Sequence, residues 1–514
     1  MNEGGRINMD PNMTMSFEEQ QRIRQEQTEF LQQQKERNAD MFRKLAPASL
    51  VYAVIYTFCV YKNISGITVP VWIAATIGYV CYVAARLGKK VKKDSAANAV
   101  MMILLGISTF TTGNIYIIWL NYAAFFLLLV CFLLHNLKED KSWDFTAYAA
   151  ETVVAVIGAI GNIAKPFVDA SAYFQTRQKN ENGKGRYVAL GICLAVPLIL
   201  FLGVILVTAD MVFADMIATL FENLLIPVHV FRVLFMLCFG FFSAYCGILY
   251  VAGHPQNVLR DRENKGEPVV AITVTLAVAL LYLVFCAIQI LYLFVGKMQL
   301  PAGITYAEYA RTGFFQLLFV SILNLMLVLG VKRYFKQSRY LDIILMVISL
   351  CTLVMTASSA RRMLLYIQVY HLTFLRIAVL VALTAIALLM AGVMVSIVRP
   401  AFPLLRYGFV VVGAIYLMFS FSHVDYFIAD YNLTQVQSDG TARDYRYISR
   451  LSTDAAPAIA AYVQEHPKAG YEEADGGLNW VVTYRKRAKA ECSNMTLRSF
   501  NVSHYMAYRL LEDM

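Results

Sequence analysis

The stretch GFFQLLFVSILNLMLVLGVKRYFKQSRYLDIILMVISLCTLVMTASSARR, residues 313–362, sets the class of the whole chain. Two apolar runs, 313–331 and 340–359, flank a short loop that holds Lys332, Arg333, Lys336 and Arg339. Each run is close to the ~20 apolar residues a helix needs to cross a hydrocarbon core of about 30 Å. Short loops rich in Lys and Arg mark the cytoplasmic side of such spans. The pattern predicts two transmembrane helices joined on that side.

Working outward, the same pattern repeats. Spans are predicted at 46–61, 67–85, 96–112, 115–135, 187–208, 228–252, 269–295, 313–331, 340–359, 374–397 and 405–422, about eleven in all. A composition of 58% hydrophobic and 16% charged residues excludes an ordinary soluble globule. Residues 1–45 carry seven Lys/Arg against eight Asp/Glu and residues 423–514 carry ten against twelve, so the basic excess, 28 against 15, lies in the membrane part. Arg86, Lys89, Lys90, Lys92 and Lys93 fall on the same side as Lys332, as do the loops with Arg177 to Arg186, Arg260 to Lys265, and Arg399 and Arg406. The opposite loops hold only Lys62, Lys297, Arg311, Arg361 and Arg362. This bias predicts a cytoplasmic N-terminus and an extracytoplasmic C-terminus. No basic stripe with interleaved aromatics lies outside the membrane part, which excludes nucleic acid as a partner.

Residues 146–168 are apolar enough to span, yet a span there would reverse every later loop. Val153, Val156, Ile157, Ile160, Ile163 and Phe167 share one helical face, so an interfacial helix is predicted, with 209–226 as its counterpart on the outer side. Three domains follow: a polar cytoplasmic helix within 1–45, a transmembrane domain over 46–422, and an extracytoplasmic domain over 423–514. Ser16 and Glu19 are spaced as a capping box for the first helix. In the tail, Ser452-Thr-Asp454 before Pro457 reads as a capped helix ending at His466-Pro467, Trp480 to Tyr484 as a short strand, and 501–512 as a helix. Eight of the nine cysteines lie in apolar segments and none has metal-ligand spacing, so no disulfide framework, metal or other cofactor is expected.

Two polar knots stand out among the apolar runs. The first is Tyr306-Ala-Glu-Tyr-Ala-Arg311. The second runs from Arg361 and Arg362 through Tyr366, Tyr370 and His371 to Arg376. Ionisable groups at membrane level are costly and call for partners or a function. Glu308, Arg311, Arg362, Tyr366 and Arg376 form the candidate site: guanidinium forks suit an anionic solute or a lipid head group. The same residues also suit ion pairs that fix helix ends within an aromatic belt. Deeper polar residues, Asn121, Gln289 and Asn324, read as hydrogen-bonding glue between helices. Asp425, Asp430 and Asp444 could pair as carboxylates, although a solvated linker explains them as well.

The motifs Tyr306 to Phe315 and Arg362 to Arg376 resemble the bacterial multi-pass membrane proteins grouped as domain of unknown function 4153/4173. Ala209 to Phe213, Asp425 to Asn432, Leu451 to Pro457 and Arg498 to Asn501 agree with it, so the resemblance covers about residue 185 to the end. His371 stands where that resemblance leads one to expect glycine. The resemblance implies a bacterial inner-membrane address and an all-α polytopic architecture, with no reaction attached.

The expected function is that of a non-catalytic membrane protein, embedded in the lipid bilayer, with a translocation, binding or sensing role. A partner-docking scaffold and a lipid-modifying transferase are the alternatives. No nucleophile elbow, phosphate loop or zinc spacing is present to favour an enzyme.

Overall fold

The computed structural model describes residues 17–140, 145–177, 209–223, 228–253, 266–291, 313–434, 445–467, 478–493 and 495–512, with isolated positions between them. Its elements are helical apart from two paired two-residue strands, β1 (Glu473–Ala474) and β2 (Leu478–Asn479). The chain is an all-α polytopic membrane protein. Among the described residues, nine helices are long and apolar enough to cross a membrane. They coincide with nine of the eleven predicted spans. Of the other two, 46–61 is the end of a longer helix and 187–208 lies largely outside the described residues.

The chain divides into two compact units, one of Met1–Tyr61, Gly78–Lys90 and Val156–Gly253, the other of the remainder. In the first, helix α1 (Phe17–Val60) is continuous, so the predicted polar helix and the first span are one element of 44 residues. Ser16 lies outside the described residues. The polar half of α1 is exposed, and burial begins at Ala39, where Leu45 and Ala53 become fully covered. Helix α2 (Thr68–Arg86) contributes Tyr79, which meets Ser49 Oγ at 2.8 Å and stacks on Tyr52.

Helices α3 (Ala96–Thr111) and α4 (Ile115–Leu137) form a hairpin in the second unit. The predicted interfacial segment is two helices, α5 (Phe145–Gly161) and α6 (Lys165–Arg177), bent by 56° at the break. Its apolar stripe is exposed at Val153, Ile157, Ile160 and Ile163, while Glu151 turns inward to a buried ion pair with Lys138 at 2.8 Å. In the first unit, helix α7 (Met211–Asn223) is capped by Asp210, which accepts from Val212 N at 2.7 Å. It presents Met211, Val212 and Met216 outward, and α8 (Val228–Gly253) packs along α1.

The rest of the second unit is built from α9 (Pro268–Gln289), α10 (Phe314–Tyr334), α11 (Arg339–Tyr370), α12 (Phe374–Val398) and α13 (Leu404–Phe421). Leu345, Ile348, Val328 and Met390 make their dry core. Amides cross-link the helices as expected. Asn324 accepts from Tyr282 at 2.7 Å and donates to Thr352 at 3.0 Å, tying α10 to α9 and α11. Asn121 accepts from Ser420 at 2.7 Å and Tyr416 at 2.8 Å and donates to Thr109 at 3.1 Å, tying α4 to α13 and α3. Without water to satisfy them, such groups must find one another.

The tail belongs to this same unit. It contains α14 (Val424–Thr434), the short α15 (Tyr445–Ile448), α16 (Ala456–Glu465), α17 (Trp480–Ser493) and α18 (Val502–Glu512). Ser452 caps a 3-10 turn leading into α16, with Pro457 in its first turn, as the sequence predicts. The predicted strand at Trp480 to Tyr484 is instead the start of α17. Asn479 caps it, accepting from Val481 N at 2.9 Å, and helical spacing lets Trp480 and Tyr484 bury side by side in the tail's core.

Candidate functional site at the tail face

Most of the second knot lies within α11, which continues past Arg361 and Arg362 to Tyr370. Glu308 and Arg311 lie outside the described residues. A continuous helix through the knot would put Arg362 and Arg376 on one face, but the backbone breaks at His371, whose φ is +65°. That is a glycine-like conformation, at the position where the resemblance leads one to expect glycine.

Arg376, in the first turn of α12, turns back over the break. Its guanidinium donates to the carbonyls of Tyr370 and His371 and lies 4.4 Å from the centre of the Tyr366 ring. A cation there satisfies carbonyls left over at a helix C-terminus and meets the negative end of the helix dipole. Arg376 and Tyr366 are thus brought together. One turn before Tyr366, Arg362 is buried and donates to Gln289 Oε1 at 3.3 Å, an oxygen that also accepts from Ser358 at 2.7 Å. Gly313 makes room for it: a Cβ there would lie 2.7 Å from Arg362 Nη1, and the glycine's φ is +117°.

Helix α14 holds the break from the other side. The Asn432 side chain accepts from Leu372 N at 2.9 Å and donates to Leu372 O at 3.0 Å, closing both backbone groups of one residue.

A second network, centred on Asp454, was not foreseen. Its carboxylate accepts from Thr112 Oγ1 at 2.5 Å and from Gly113 N at 2.8 Å, both in the turn between α3 and α4. His423 Nδ1 stands 3.6 Å away, near enough for an ion pair though long for a hydrogen bond. Burial alone would raise the Asp454 carboxyl, but the donors His423, Ser503, Thr112 and Gly113 around it outweigh that and hold the group below the usual carboxylate range. The Asp454 carboxylate in turn raises the His423 imidazole, against the effect of burial. Asp425 accepts from Ser452 N at 2.9 Å, and burial, with the Asp454 charge adding to it, pushes its carboxyl up. Among the described residues of the tail, the buried carboxylates are therefore Asp425 and Asp454. Asp430 is exposed and Asp444 lies outside the described residues.

The last motif completes the seam. Asn501 Nδ2 donates to the carbonyls of Ser65 and Thr112 at 3.0 and 2.9 Å, Phe500 O accepts from Ile67 N at 2.9 Å, and Arg498 O accepts from Asn63 at 3.2 Å. Gly113 is needed here, since a Cβ would fall 2.0 Å from Thr453 Oγ1. The motifs from Arg362, Asp425, Leu451 and Arg498 onward, scattered in sequence, thus gather at one face of the second unit. The sequence signalled the tail half of the Asp454 network as a cap. Thr112-Gly-Asn114 reads as an ordinary turn and gave no signal.

Fold and site together define a multi-pass helical membrane protein with a tail domain bonded to the ends of its spans. The family model described as Domain of unknown function (DUF4153) matches residues 99–462, and the chain belongs to this family. The match begins in α3, well before residue 185, and so takes in the turn that Asp454 grips; it ends at 462, short of the Arg498 to Asn501 motif. No curated protein and no solved structure matches the chain.

Proposed function

We propose that this protein is a non-catalytic sensor in the bacterial cell membrane, with its N-terminus in the cytoplasm and its tail domain outside. The orientation rests on the one-sided placement of Lys and Arg in the loops. The observation that carries the sensing role is the grip of the buried Asp454 carboxylate on the Thr112–Gly113 turn. A buried charge that closes one domain on another makes a two-state element whose equilibrium is biased by protonation. Release would free the α3–α4 turn, and α14 links the same domain to the α11–α12 break through Asn432. The amides Asn121 and Asn324 are taken up in bonds between helices, which supports a closed core over a solute path.

Thiol labelling of intact cells tests this reading. Ser503→Cys, at a buried site in the network, is placed in a chain with Cys492→Ser and treated with a membrane-impermeant maleimide. The site is expected to stay unlabelled in the otherwise unaltered protein and to label from outside once Asp454→Asn is added. Labelling that needs permeabilised cells, or that ignores Asp454, contradicts the proposal.

A further inference from the structure

An apolar cleft of about 370 Å³ opens between α12, α13 and α14. Ile377 and Val381 of α12 form one wall, Ile415 and Met418 of α13 the other, and Phe427 of α14 the roof. Ile377 to Thr384 lie three to ten residues into α12, roughly 5–15 Å along the helix at 1.5 Å per residue, which places the cleft within the half of the bilayer next to the tail domain. Its two hydroxyls are turned to their own helices: Thr384 donates to Leu380 O at 2.9 Å and Ser422 to Phe419 O at 2.7 Å. The lining therefore offers little that would hold water, which needs two to four polar partners. Met418 and Phe427 are 67% and 53% exposed, so the cleft is open at its side.

We propose that this cleft binds one acyl chain of a phospholipid from the leaflet beside the tail domain. At this depth the surrounding medium is hydrocarbon chain. A groove walled by two spans and roofed by a helix immobilises a chain along its length, where the convex face of a single helix cannot. Its volume lies in the roughly 300–1,000 Å³ range of small-ligand sites. The roof helix also carries Asp425 and Asn432, so the bound chain would support the element that joins the seam to the α11–α12 break. The assignment rests on the cleft alone and is independent of the sensing role.

The test uses the full-length protein in nanodiscs doped with a phosphatidylglycerol that carries a diazirine in mid-chain, with cross-linked peptides mapped by mass spectrometry. The expected result is labelling of 377–384 and 415–427 several-fold above that of the exposed α9 residues Leu280, Leu281, Leu283 and Val284. Val381→Trp, which fills the cleft, should abolish that excess, whereas Val410→Trp, on the exposed face of α13, should keep it. Even labelling of α9 and the cleft in the unaltered protein overturns the proposal, and this arm needs no variant to fold. An excess that survives in a folded Val381→Trp protein also overturns it.

Discussion

The Asp454 carboxylate meets Thr112 Oγ1 at 2.5 Å across 342 positions of sequence, with no part of that carboxylate exposed to solvent. The charge is faced by Thr112, Gly113 and His423, so loss of any of these groups should be visible in mutants. Asp454→Asn keeps the shape and removes the charge that Thr112, Gly113 and His423 face. It should destabilise the docked tail by about 2–3 kcal/mol, the usual range for a charged hydrogen bond lost in the interior. Thr112→Val, which leaves the buried charge short of one donor, should cost about 1.5–3 kcal/mol. Chemical denaturation followed by tail-domain proteolysis would measure both.

Acidity should tighten the tail before it loosens it. His423 is raised above its ordinary 6.5, so its contribution is complete below that value and is lost as pH rises through its folded pKa. Asp425 is raised above 3.8, so the cost of burying it ionised is relieved as pH falls through its own shifted value. Asp454 is lowered, and its contribution disappears only as pH falls below 3.8. Tyr447 and Tyr484 face the same cluster with phenols pushed up by burial, to about 12 for Tyr447, and do not titrate in this window. Melting temperature should therefore rise from alkaline to mildly acidic pH and fall only in strong acid. Asp425→Asn should remove part of the rise by stabilising the neutral-pH protein. A melting curve that falls steadily from pH 8 to 5 would be inconsistent with these shifts.

Arg376 should behave as a helix-end clamp. Arg376→Ala removes two carbonyl contacts and the stacking on Tyr366, which should cost about 1–3 kcal/mol. Arg376→Lys should recover part of this, since an ammonium can reach a carbonyl but lacks the planar face that stacks on the Tyr366 ring. The exposed Arg361 gives the contrast, with Arg361→Ala close to neutral. Thermal melts of the purified variants would rank them.

His371→Gly should stabilise the protein. A side chain at φ +65° and ψ −178° is strained, and glycine takes that backbone without a Cβ conflict. The gain expected from relieving such strain is about 1 kcal/mol, after the greater freedom of glycine in the unfolded chain is deducted. An unchanged or lower melting temperature would mean the side chain contributes more than the backbone costs.

How much of this could be read in advance depended on the range of each signal. Spans follow from local hydropathy, and Asn121 and Asn324 were recognisable because an amide in an apolar run must bond to its neighbours. Hydropathy changes at Ala46 while the backbone of α1 continues through it, so composition alone does not show that the polar helix and the first span meet without a break. Trp480 to Tyr484 has the β-branched and aromatic content of a strand, and the cap at Asn479 decided otherwise. A helix continuous from Arg362 to Arg376 would give the two a common face, and His371 interrupts it. Asp454 was legible only as part of a cap, because its partners Thr112 and Gly113 carry no sign of what will fold onto them.

The most direct test of the central claim is hydrogen exchange of residues 445–467 and 112–117 in the full-length protein, compared with Asp454→Asn at mildly acidic pH. The account predicts that both segments are protected in the unaltered protein and that both lose protection together in the variant, while the core of α11 around Leu345 and Ile348 stays protected. If the two segments exchange independently, or if Asp454→Asn leaves them as protected as before, the buried carboxylate is not what holds the tail domain to the membrane helices.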